Sequence, residues 1–145
     1  MNPQQCLETL RTIFKDCGFA NFCGMQIDET ECGRALLHMD MDSDKGNMAG
    51  YLHGGAMEAL IDNAAGAVCL TIGAHVVTLH SDVSYIKGVP LKTMPRIFAE
   101  ARIMKATHHM IFVDVVVRSG KEELLARGNM VMFRNGTDTR IPEKW

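Results

Sequence analysis

The chain has 145 residues, 47% apolar and 22% charged, and its 15 Lys and Arg against 17 Asp and Glu leave a net charge of −2 and a pI near 6.3. That is the composition of one globular domain spanning 1–145, with no overall positive field to draw in nucleic acid or anionic lipid. The most apolar stretch, residues 64–77, is broken by Thr71 and His75 and falls short of the ~20 residues a spanning helix needs. The N-terminus lacks the basic start and apolar run of a secretion signal, so no membrane partner and a cytoplasmic location are expected.

Asn2 and Pro3 suit the start of a helix, and Cys6, Leu7, Leu10, Ile13, Phe14 and Cys17 recur at three- and four-residue steps, which predicts an N-terminal helix within residues 1–18. From Gly24 the period changes to two, and Cys32 with Gly33 supplies a turn, so residues 25–41 read as a β-hairpin. Residues 42–52 are loop by composition. From His53 the apolar residues return to helical spacing for about five turns, the long helix of the protein. Strand signals follow around residues 76–87, 97–106, 109–118 and 124–134, separated by Gly88 and Pro90, Thr107 and His108, and Ser119 and Gly120. The pattern predicts an α+β fold in which an antiparallel meander of four strands and the hairpin pack on one long helix. The tail, residues 135–145, is expected to be loosely ordered. The five cysteines, odd in number and without a C-x-x-C pair, suggest neither disulfides nor a zinc site, and most are expected to be small buried side chains.

Asp40, Asp42 and Asp44 resemble the start of a calcium loop, but Lys45 stands where the turn glycine belongs and Tyr51 where the bidentate Glu belongs. His108 and His109 are adjacent, so in a strand they would point to opposite faces and could not share a metal. No metal site is expected. The informative segment is residues 47–63, NMAGYLHGGAMEALIDN. Gly54 and Gly55 open the long helix, where glycine costs about 1 kcal/mol relative to alanine. The first turn of a helix offers unpaired N–H groups at a positive dipole end, suited to a carbonyl oxygen that becomes anionic; a tight turn or close packing is the alternative. Asp62 sits in an otherwise apolar run, where a carboxylate is either functional or held by a structural hydrogen bond. Glu58 precedes it by one turn, close enough to interact with it, or serves the helix dipole as a first-turn acid. Ala65 and Gly66, a turn further on, leave space for another chain or a ligand to lie against that face. Gly54 and Asp62 lie roughly 12 Å apart along one helix, so if both act on one carbonyl they come from different subunits.

Asn47, Gly50, His53, Gly54, Gly55 and Asp62 form the pattern N-x-x-G-x-x-H-G-G followed by an acid. In this pattern the chain resembles the hotdog-fold acyl-CoA thioesterases of the PaaI-like branch, from about Phe19 through Phe133. The resemblance implies a curved antiparallel sheet wrapped around the long helix, with a thioester carbonyl bound by the Gly54 N–H. It implies that Asp62 of the facing subunit is nucleophile or general base and that Asn47 orients thioester or water. Thr78 falls where a hydroxyl holds the attacking water, and it is equally at home as a β-branched strand residue. His53 either contacts the thioester or caps the loop, and Gly55 and Glu58 border the substrate. His108 and His109 stand where related chains carry a Gly and basic residues against the CoA nucleotide; Lys87, Arg96 and Arg102 are further candidates. A homodimer, paired into a homotetramer, is implied. CoA enters as part of the substrate and no other cofactor is expected. A non-catalytic acyl-CoA-binding module and an acyl-thioester dehydratase are the alternatives.

Overall fold

In the computed structural model, which describes residues 1–144, Asn2 and Gln5 exchange side-chain to backbone bonds and Pro3 takes the first helical position of α1 (Pro3–Phe14). Cys6, Leu7 and Leu10 form its buried stripe, and Arg11 Nε donates to the Ile27 carbonyl at 2.9 Å. The helix stops at Phe14 instead of running to Gly18, because the N–H groups of Asp16 and Cys17 turn back onto the Ile13 and Phe14 carbonyls. A separate short helix, α2 (Gly18–Phe22), follows. The sequence period alone did not separate the two.

The hairpin of β1 (Met25–Glu31) and β2 (Arg34–Asp40) turns at Cys32 and Gly33, with Gly33 at φ 78°, the left-handed conformation such a tight turn requires. The long helix α3 (Gly54–Leu70) is followed by β3 (Ala74–Tyr85), β4 (Arg96–Ala106), β5 (Met110–Ser119) and β6 (Leu124–Thr137). All pairs are antiparallel and the strand order is β1-β2-β4-β5-β6-β3. The expected four-strand meander is therefore a three-strand one, β4-β5-β6. With about 25 Å of length, α3 carries the chain across the sheet face, so β3 lands beside β6 at the far edge and β4 returns to pair with β2.

Alternate residues of the strands, among them Leu37, Met39, Ala99, Val113, Val115, Met130 and Met132, turn inward onto Leu60, Ile61, Ala64, Ala67 and Val68 of α3. Small side chains on the helix let it approach the sheet closely. At Gly128 of β6 a Cβ would stand 2.6 Å from Ile61 Cγ2, so that approach requires glycine. The tail is more ordered than expected: β6 continues to Thr137, and Asp138 and Ile141 beyond it are buried. Asp138 accepts from Arg140 and meets His75 Nε2 at 3.2 Å; the bond from Arg140, ahead of the His75 charge, brings its carboxyl down to about 2. Cys6, Cys23 and Cys69 are buried thiols, and burial pushes Cys69 up to about 12. Among the described residues no helix is long and apolar enough to cross a membrane.

Candidate active site

The loop before α3 is built by its own polar groups. Asn47 Oδ1 accepts from the N–H of Ala49 at 2.9 Å and of Tyr51 at 3.1 Å, and the Asn47 N–H donates to the Tyr51 carbonyl at 2.7 Å. Gly50 completes this turn at φ 82°. The His53 N–H donates to the Lys45 carbonyl, and Leu52 is tied to Val89, so the entry to α3 is fixed from both sides. The acidic run that suggested calcium is divided among separate cations: Asp40 pairs with Arg96 and Asp42 with Lys45.

His53 is the N-cap of α3, its Nδ1 accepting from the Gly55 N–H at 2.9 Å. The two helix-opening glycines therefore differ. The Gly55 donor is occupied, whereas the Gly54 N–H has no partner among the described residues and stands at the positive end of a 17-residue helix. Of the two roles open to His53, the structure displays the capping one.

Gly54, Glu58, Asp62, Gly66 and Leu70 recur at four-residue steps and form one stripe of α3. Strand β3 runs along it. Thr78 Oγ1 donates to Asp62 Oδ1 at 2.5 Å, Ser81 Oγ donates to Glu58 Oε1 at 2.8 Å, and the Tyr85 hydroxyl lies 3.2 Å from both Glu58 Oε2 and the Gly54 carbonyl. Thr78 and Ser81 are three residues apart and would face opposite ways in a regular strand. A bulge between Thr78 and His80 resets the phase and turns both hydroxyls toward the helix. Burial first, then the bond to the Glu58 carboxylate, raises the Tyr85 phenol above its ordinary value.

The expected pairing of Glu58 with Asp62 is absent among the described residues: each carboxylate has its own hydroxyl donors on β3. Nor is Glu58 a first-turn acid, since the helix begins at Gly54 and places Glu58 in the second turn. Ser81 and Tyr85 were not singled out from the sequence. Their signal was a run of hydroxyl residues in the strand after the helix, Thr78, Ser81, Ser84 and Tyr85, which cannot be phased without knowing the bulge.

His108 and His109 lie in the β4–β5 turn, not in a strand, and their rings meet edge to face at 4.5 Å instead of pointing apart. His109 stacks on Phe133 at a centroid distance of 5.7 Å. Met132 faces α3, so Phe133 and the histidines occupy the opposite face of the sheet and do not meet Asp62 within one chain. On the helix side, Asp62 and Thr78 stand at a groove of about 360 Å³ between the end of α1, α3 and β3. The arrangement offers an aligned carboxylate with a hydroxyl beside it, a free backbone donor on the same helix, and an apolar recess next to the carboxylate.

Residues 49–126, more than half of the chain, match the model of the Thioesterase superfamily. The chain is 30% identical over 86 residues to the acyl-coenzyme A thioesterase THEM4 of Rattus norvegicus, covering 59% of this chain and 36% of that protein. The fold matches the E. coli PaaI protein from the phenylacetic acid degradation operon with a TM-score of 0.86 at 16% identity, covering 94% of this chain and 97% of that one. A protein of Streptococcus mutans, solved bound to acetyl-CoA, matches with a TM-score of 0.75 at 24% identity over 79% of this chain and 91% of its own. The curved antiparallel sheet on a long helix is thus the hotdog fold, and the chain belongs to the thioesterase superfamily as a thioester hydrolase.

Proposed function

We propose that this protein hydrolyses acyl-CoA thioesters to a carboxylic acid and CoA, at sites shared between two subunits. The observation that carries the proposal is the coexistence on α3 of a free N–H at Gly54 and a hydroxyl-held carboxylate at Asp62, roughly 12 Å apart along the axis. One carbonyl cannot touch both in one chain. A two-fold axis that lays two copies of α3 antiparallel brings Gly54 of each to Asp62 of the other.

Strand β3 supports such an axis. It is a 12-residue strand at the edge of the sheet with Val77 49% and Leu79 54% exposed, a template for antiparallel pairing with a second β3. In the assembly the Gly54 N–H binds the thioester oxygen and stabilises its negative charge as the carbonyl carbon is attacked. Asp62 removes a proton from the attacking water, or attacks directly and forms an anhydride that water then opens; either way the C–S bond breaks and CoA leaves as its thiol. Thr78 orients the Asp62 carboxylate, Asn47 shapes the loop at the carbonyl, and CoA is the only carrier required. The acetyl-CoA bound by the S. mutans protein and the name of the rat relative favour CoA as the thiol.

Asp62→Asn keeps the size of the side chain and its bond to Thr78. It is expected to fold normally and to lose at least ~10² in kcat on acyl-CoA, followed by loss of thioester absorbance. A folded variant with undiminished turnover overturns the assignment of Asp62.

A further inference from the structure

Building on the hydrolase reading, we infer that the groove beyond Asp62 receives the acyl group, that it selects uncharged hydrocarbon chains, and that Gly66 sets how long a chain it admits. The groove begins at Asp62 and Thr78, where the thioester carbonyl is placed, and runs along α3 past Gly66 to Leu70, about two turns or 12 Å. Its walls are Ile13 and Phe14 of α1 on one side and Val76 and Met132 of the sheet on the other. Among the described residues no Lys or Arg lines it. His75, at the far end, already faces the buried Asp138 carboxylate. A terminal carboxylate on the acyl group would therefore lose its water shell without gaining a cation.

Gly66 is the floor of this groove. It follows Asp62 by one turn on the same stripe, and a Cβ built on it meets nothing within 4 Å, so a side chain there enters the groove and not the packed core. Glycine in a helix interior is unfavourable relative to alanine, and no contact with the sheet demands it here, in contrast to Gly128. Open space for substrate accounts for it. The opposite wall belongs to α1, which lies outside the matched residues 49–126, so chain-length selection arises partly from a segment that the family model does not include.

The test is the ratio of kcat/KM across acetyl-, hexanoyl-, decanoyl- and adipoyl-CoA for wild type, Gly66→Ala, Gly66→Val and Phe14→Ala. Gly66→Ala adds a methyl where there is room and improves helix propensity, so it serves as the folded reference should Gly66→Val be unstable. The decanoyl to acetyl ratio is expected to fall stepwise from Gly to Ala to Val, by about 10-fold or more at Val, and to rise in Phe14→Ala. Wild type is expected to prefer hexanoyl over adipoyl by a similar factor. Parallel loss on every substrate in the Gly66 series, or equal use of hexanoyl and adipoyl, overturns the groove assignment while leaving the hydrolase reading intact. A wild-type protein that turns over none of the four overturns both.

Discussion

At the scale of single residues, the proposed site depends on which backbone donor is free. His53 Nδ1 accepts from the Gly55 N–H, and the Gly54 N–H, without a partner among the described residues, is the donor that the proposal gives to substrate. Gly54→Pro isolates this role. Proline is favoured at the first helical position, where it removes an N–H that has no intrahelical partner, and His53 at φ −62° and ψ 136° already has the conformation that precedes proline. The variant is expected to keep its melting temperature within a few degrees while kcat falls about 10²- to 10³-fold, the loss that follows removal of one oxyanion donor. A folded Gly54→Pro enzyme with wild-type kcat would assign the donor elsewhere. Gly54 and Asp62 stand out as candidates in the sequence because each breaks a local rule: glycine where a helix prefers alanine, and a carboxylate within an apolar run. Ser81 and Tyr85 break no rule, being ordinary strand residues, and their orientation toward Glu58 follows from a bulge that alternation does not reveal.

Among the elements, α3 and β3 act as one unit. The helix stripe of Gly54, Glu58 and Asp62 meets three β3 hydroxyls, and the helix lies close enough for this because β6 has glycine beneath Ile61. Gly128→Ala forces a methyl to within 2.6 Å of Ile61 Cγ2. It is expected to destabilise the fold by about 1–3 kcal/mol, the usual range for overpacking, measured by denaturant unfolding. An unchanged midpoint would mean that α3 is not held at this distance by packing. The succession of helices and strands was legible from period alone, since 3.6 and 2 are distinct over long segments. Two features were not. The Ile13 and Phe14 carbonyls that end α1 early give no periodic signal, and the far-edge position of β3 is set by the length of α3 crossing the sheet. The tail after Asn135 reads by composition as frayed or lightly docked, and in the structure Asp138 finds Arg140 and His75, and Ile141 a place in the core.

For the whole molecule, the proposed reaction makes one chain half a site. In the proposed two-fold dimer the two candidate groups on one helix, the exposed β3 edge and the groove beside the carboxylate would all find use, which is the architecture that the spacing of Gly54 and Asp62 suggests in the sequence. The most direct measurement co-expresses Gly54→Pro and Asp62→Asn chains under two different tags and purifies dimers that carry one of each. Each such dimer retains one intact pairing of Gly54 with Asp62, contributed by different chains, so acyl-CoA turnover is expected to return to about half that of wild type, although each parent alone is lowered about 10²-fold or more. If mixed dimers are as inactive as their parents, Gly54 and Asp62 do not act on one thioester across the interface, and the shared site is wrong.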